Sequence, residues 1–287
     1  MTSQSAFLDS NRLVYSGAAP SPSEQARRAR RWGWLIYAEC RLRRMKAYFG
    51  TILVVALLYP VLYLAAMGIG LGSLVNSGVG GIDGVPYLVF VGAGLLVSTI
   101  VTESTNEFTF SIMAGFKWEK TFYATQASPI SPAQMVIGEV VGVFVRLFAQ
   151  AIPFWVALLV FGAAPSGWSW LIVPIAAVAG ISFGAPLMAY SATVEDEGYQ
   201  FAFVQRFIVM PMFLFAGTFY PLAQMPPYLQ WVGWISPMWH GTQLGRIVSY
   251  GMENPLWLTV VHVLALVIPI VVGVALSVRV FTARLMK

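Results

Sequence analysis

The stretch from 218 to 242, TFYPLAQMPPYLQWVGWISPMWHGT, is too apolar and aromatic for an ordinary loop, yet it is broken by Pro221, Pro226, Pro227 and Pro237. A proline removes a backbone donor and clashes with the preceding turn, so no single helix runs through it. Whether these residues form a soluble core or a break between membrane crossings depends on the chain on either side.

That chain is apolar throughout. Of 287 residues, 58% are hydrophobic and only 10% charged, with a mean hydropathy of +0.72; soluble domains carry roughly 25% charged residues. Nothing ionises between Lys46 and Asp83, Asp83 and Glu103, Arg146 and Glu195, Arg206 and Arg246, or Glu253 and Arg279. Each run reaches or approaches the ~20 apolar residues that cross a ~30 Å hydrocarbon core. The composition specifies an integral membrane protein. The runs are continuous rather than alternating, and lipid offers backbone amides no outside partner, so an all-α fold is expected. Six spans are predicted, over 50–73, 86–110, 134–162, 168–192, 201–220 and 256–279.

Orientation follows from the basic residues. Nine of the 17 Lys and Arg precede the first span, Lys117 and Lys120 lie between the second and third, and Arg279, Arg284 and Lys287 follow the sixth. Cytoplasmic loops carry such an excess, so both termini are expected inside and the opening stretch outside, between spans five and six. The net charge of +5 then marks a membrane face rather than nucleic acid. Single Cys40 excludes an intrachain disulfide, and the polar, basic first ~45 residues do not read as a cleavable signal.

Residues 1–20 read as a disordered tail, 21–46 as an interfacial helix and 47–287 as the membrane domain. Ser21-Pro22-Ser23-Glu24 combines a capping-box pair with proline at the first helical position. The basic residues that follow, mixed with Trp32, Trp34, Leu35, Ile36 and Tyr37, suit the cytoplasmic headgroup layer of an anionic membrane. Gly138 with Gly142, and Gly180 with Gly184, have the spacing of close helix contacts. Glu195, Asp196 and Glu197 before the fifth span read as favourable charge at a helix start.

No phosphate-binding loop is present, since none of the four lysines follows a glycine, and HExxH and CxxC are absent. No catalytic residue, metal site or cofactor is therefore assigned to the chain. His240 and His262 have no cysteine or near carboxylate to complete a metal set; His240 is the one residue that would serve as a base in a membrane-embedded transferase.

Glu103 and Glu107 fall on the second predicted span, Glu139 and Arg146 on the third. Each costs ~2.5–3.5 kcal/mol near the bilayer centre, so each needs a partner or a wet cavity. Helix rise places Glu103 and Arg146 at compatible depth, and a pair between them is expected. Such a pair either locks two spans together or lines a substrate route. A proton-coupled secondary transporter would use Glu103 or Glu107, although such transporters usually show an internal repeat, which is not evident here.

Two segments carry a resemblance. FKWEKTFYATQASPISPAQMVIGE (116–139) and AGTFYPLAQMPPYLQWVGWISPMWH (216–240) resemble the membrane subunits of type-2 ATP-binding-cassette exporters. YPVLYLAAMGIGLGSLV (59–75) and VPYLVFVGAGLL (85–96) resemble the branch of nodulation lipo-oligosaccharide and daunorubicin-resistance exporters. The likeness runs in order over about 50–285. It implies a permease in a bacterial cytoplasmic membrane, working as a homo- or heterodimer with a separate ATPase subunit that binds ATP and Mg. The implied cargo is an amphiphilic drug, lipid or lipid-linked glycan. It also implies a coupling helix that includes Trp118, Glu119, Lys120, Thr121, Phe122 and Tyr123. For the opening stretch it implies two short re-entrant helices forming an external gate, with Tyr220, Pro221, Trp231, Trp234 and His240.

Overall fold

Ser131 closes its helix start by a reciprocal pair of bonds. Its hydroxyl accepts from the Gln134 amide, the Gln134 side chain accepts from the Ser131 amide, and Pro132 occupies the first helical position. Similar local rules shape the rest of the computed structural model, which describes residues 21–45, 49–195 and 198–286. The expected tail over 1–20, together with Asp196 and Glu197, lies outside the described residues.

The described residues are helical, apart from turns and one isolated bridge between Ile82 and Val85. The elements are α1 (Pro22–Met45), α2 (Phe49–Leu64), a π-helical turn (Ala65–Leu71), α3 (Gly72–Val79), α4 (Tyr87–Met113) and α5 (Thr121–Gln126). They continue with α6 (Pro132–Val160), α7 (Ile172–Thr193), α8 (Gln200–Val204), a π-helical turn (Gln205–Val209), α9 (Met210–Phe215), α10 (Pro227–Trp234), α11 (Pro237–Tyr250) and α12 (Leu256–Leu285).

Among the described residues, five stretches are long and apolar enough to cross a membrane: Ala56–Gly78, Tyr87–Trp118, Pro132–Val160, Ser169–Thr193 and Leu256–Leu285. The expected fifth span, 201–220, is shorter than drawn from sequence. Its helix ends at Phe215, below the ~20-residue crossing length. Gly217 takes a positive φ of 72°, and the buried Arg246 captures the carbonyls of Gly217 and Thr218 at 2.7 and 3.4 Å, which draws the chain out of the helix before Pro221.

α4 and α7 form the interior, and α7 packs against α4, α6, α11 and α12. The glycines permit this approach. A Cβ on Gly184 would lie 2.1 Å from Phe108 Cδ2, and Ser104 Oγ donates to the Gly180 carbonyl at 2.6 Å across the same seam. α1 packs on α6. Tyr37, Ala38 and Arg41 are buried, and a Cβ on Gly138 of α6 would come within 2.7 Å of the Trp34 carbonyl, while Trp32, Leu35 and Ile36 face outward.

Candidate functional site

A layer of ion pairs joins α1, α4 and α6. Arg146 Nη1 pairs with Glu107 Oε1, and Arg146 Nη2 stands 3.9 Å from Glu103 Oε2. Arg41 forks: Nη2 donates to Glu107 Oε2 at 2.5 Å, and Nη1 pairs with Glu139. The Tyr37 hydroxyl donates to Glu139 Oε1 at 2.8 Å. Burial first, and the Glu139 carboxylate second, hold this phenol far above its ordinary range, so it remains a donor. All four intramembrane residues singled out from sequence thus lie in one network, with Glu107 closer to Arg146 than Glu103 is.

The network separates two spaces. On one side is a 420 Å³ cavity between α2, α4, α6 and the 200–215 helix, lined by Glu103, Asn106, Gln150, Gln205 and Arg206 among apolar and aromatic groups. There Gln205 Nε2 donates to Asn106 Oδ1 at 3.0 Å. On the other is a 660 Å³ cleft lined by Arg41, Glu107, Glu119, Glu139 and Arg146. Glu103 is the one network member facing the inner cavity.

The segment 114–126 closes the cleft. Phe122 is buried against Phe116 and Phe281, with ring centroids at 4.6 and 4.9 Å, and Gly115 leaves room for its ring. Trp118 and Tyr123 are exposed, Glu119 lies 3.7 Å from Arg44 of α1, and Thr121 opens α5. Lys120 adopts a left-handed φ of 53°, a conformation costly for a side chain with a Cβ.

At the opposite end, Pro221 precedes a 3₁₀ turn over Leu222–Gln224, and Pro227 and Pro237 start α10 and α11. α10 has 8 residues and α11 has 14, so neither crosses a bilayer. Trp231 and Trp234 face outward, while Tyr220 packs partly buried against the core. His240 is buried. Its Nε2 donates to the Trp234 carbonyl at 3.0 Å, and its Nδ1 lies 2.7 Å from His262 Nδ1. Both ring nitrogens are engaged, which leaves none for the transferase base. Burial lowers the His240 pKa, against the opposing effect of the Trp234 carbonyl.

Sequence reasoning placed Tyr37 and Arg41 in a surface helix and did not pair His240 with His262. The available signal was α1's own spacing: Gly33, Tyr37 and Arg41 recur every four residues, one buried stripe within a basic segment. The cavity residues Gln150, Gln205 and Arg206 had no motif to mark them.

The family model described as ABC-2 type transporter matches residues 34–250. Nodulation protein J of Rhizobium meliloti (strain 1021) is 28% identical over 238 residues, covering 79% of this chain and 84% of that protein. Nodulation protein J of Sinorhizobium fredii (strain NBRC 101917 / NGR234) is 26% identical over 261 residues, covering 89% and 95%. The Inner membrane transport permease YadH of Escherichia coli (strain K12) is 23% identical over 193 residues, covering 66% and 73%. The matched region takes in the ion-pair layer, both cavities and the proline-broken segment, and the chain belongs to the ABC-2 type transporter family.

Proposed function

We propose that the chain is the permease subunit of an exporter that moves an amphiphilic drug, lipid or lipid-linked glycan across the cytoplasmic membrane of a bacterium. The observation that carries this reading is the ion-pair layer between the cleft and the intramembrane cavity, a closed route with a polar barrier. Both termini lie inside, the 200–215 helix with its flanking residues makes the sixth crossing, and α10 and α11 form a re-entrant gate outside. Two copies dimerise, and a separate ATPase subunit binds ATP and Mg and docks against 118–123. Its closure moves the exposed Trp118 and Glu119, and Glu119 reaches the ion-pair layer through Arg44 of α1. Proton coupling through Glu107 is disfavoured because two guanidinium groups hold its carboxylate.

The test is reconstitution in vesicles with the protein of a neighbouring reading frame that carries a phosphate-binding loop. ATP-dependent movement of a fluorescent phospholipid is expected from the pair and not from the chain alone. Replacing Glu119 and Lys120 with Ala is expected to leave ATP hydrolysis and abolish movement. Uphill movement by the chain alone overturns the reading.

A further inference from the structure

We propose that the 420 Å³ cavity binds a zwitterionic lipid headgroup that carries a phosphate and a primary ammonium, with the ammonium at Glu103 and Gln150 and the phosphate at Arg206. As a statement about cargo this rests on the exporter reading; as a statement about binding it does not.

The ion-pair layer leaves a charge unmet. It holds three carboxylates, Glu103, Glu107 and Glu139, against two guanidinium groups, Arg41 and Arg146. Nearby Arg43 and Arg44 face Glu39 and Glu119. The surplus falls to Glu103, because both guanidinium groups hold Glu107, and Arg41 with the Tyr37 hydroxyl holds Glu139. Glu103 has Arg146 only at 3.9 Å, beyond hydrogen-bond reach, and it faces the cavity. Arg206, the other charged residue of the lining, makes no ion pair or hydrogen bond among the described residues. The cavity thus presents two opposite charges that do not meet, and a zwitterion answers both.

Hydrogen bonding narrows the cation. Gln150 is 7% exposed, and no donor among the described residues reaches its buried Oε1 at the cavity wall. Buried polar atoms are nearly always hydrogen-bonded, so this acceptor is matched to a donor from the cavity. A primary ammonium brings three N–H donors, enough for Gln150 Oε1 and both Glu103 oxygens, whereas a quaternary ammonium brings none.

Placement favours a lipid. The bond from Gln205 to Asn106 ties the turn that carries Arg206 to α4, and that turn is π-helical, a form frequent at functional sites. Leu57 and Val61 of α2, with Phe207 and Met210 beside Arg206, are exposed apolar surface for acyl chains on elements that line the cavity.

The test uses the full chain in nanodiscs of equal dioleoyl phosphatidylcholine, phosphatidylethanolamine and phosphatidylglycerol, with retained lipid counted by native mass spectrometry. Phosphatidylethanolamine is expected to exceed phosphatidylcholine about tenfold. Arg206→Gln, which breaks no contact, and Gln150→Leu, which removes an unsatisfied buried amide, are each expected to abolish that preference while Tm holds or rises. Equal retention of the three lipids, or undiminished preference in either variant, overturns the proposal. Preference for phosphatidylglycerol overturns it in favour of a hydroxyl-bearing anion, and displacement by equimolar glycerophosphoethanolamine overturns the lipid source in favour of a soluble one. Transport with the ATPase subunit separates the two readings. Selective retention without ATP-driven movement of any lipid overturns the exporter reading alone, and movement regardless of headgroup with no selective retention overturns this one alone.

Discussion

Arg41 Nη2 lies 2.5 Å from Glu107 Oε2, so a residue ahead of the first span holds a carboxylate of the second. Removing one partner of a buried ion pair leaves an uncompensated charge, at a cost of about 3–5 kcal/mol. Arg41→Ala is expected to destabilise the protein by about that amount in denaturant unfolding. Adding Glu139→Gln is expected to return about 1 kcal/mol or more, because Glu139 loses its guanidinium partner with Arg41, whereas Glu107 still has Arg146. Strict additivity of the two substitutions would show that they do not share a network.

Gly184 sits where α7 meets α4, and a Cβ there would lie 2.1 Å from Phe108 Cδ2. The fully buried Phe108 ring cannot move aside without disturbing the core. Gly184→Ala is expected to cost about 1–3 kcal/mol, as overpacked cores do. Phe108→Leu in the same chain is expected to recover part of that loss, read as apparent Tm in detergent.

The bilayer made the coarse fold legible. Long uncharged runs have one outcome in lipid, and four of the drawn spans, 86–110, 134–162, 168–192 and 256–279, start within about two residues of stretches long enough to cross, although the first and last of these four stop short of helices that run on to Trp118 and Leu285. The first, drawn over 50–73, is displaced toward Ala56–Gly78, and the fifth ends early because Arg246, distant in sequence, captures the carbonyls of Gly217 and Thr218. Caps are local, so Ser131 and Gln134 were readable. Glu103 and Arg146 were found because charge in a span demands a partner. Arg41 was not, because six other arginines share its helix and only its four-residue spacing from Gly33 and Tyr37 sets it apart. The His240 and His262 contact was unreadable for the same reason: it depends on how α11 folds back onto α12.

Glu103 is the member of the ion-pair layer that faces the 420 Å³ cavity, and its distance of 3.9 Å from Arg146 is too long for a hydrogen bond. Arg146 keeps Glu107 when Glu103 is neutralised, so no buried charge is stranded. Glu103→Gln is therefore expected to leave folded yield within about twofold and to lower cargo movement about tenfold. The check is yield by size-exclusion chromatography beside transport in vesicles. Equal losses in both would assign Glu103 to holding the spans together.

The two histidines make stability depend on pH. The Trp234 carbonyl only accepts, so His240 Nε2 carries a proton, and in the neutral pair His240 Nδ1 accepts from His262 Nδ1–H. One added proton is accommodated by reversing that bond. A second sets two N–H groups against each other at 2.7 Å. The Trp239 ring packs 4.9 Å from His240 and 5.0 Å from His262, and no carboxylate among the described residues bonds to either. Burial lowers the His240 pKa, so the unfolded chain takes up the proton first. The contribution to stability is then complete above the ordinary imidazole value of ~6.5 and is lost as pH falls below it. Between about pH 7 and about pH 5 the unfolding free energy is expected to drop by ~1 kcal/mol more than in His240→Gln, whose amide keeps a donor for the Trp234 carbonyl and does not titrate. Identical pH profiles for the two proteins would place the titrating group elsewhere.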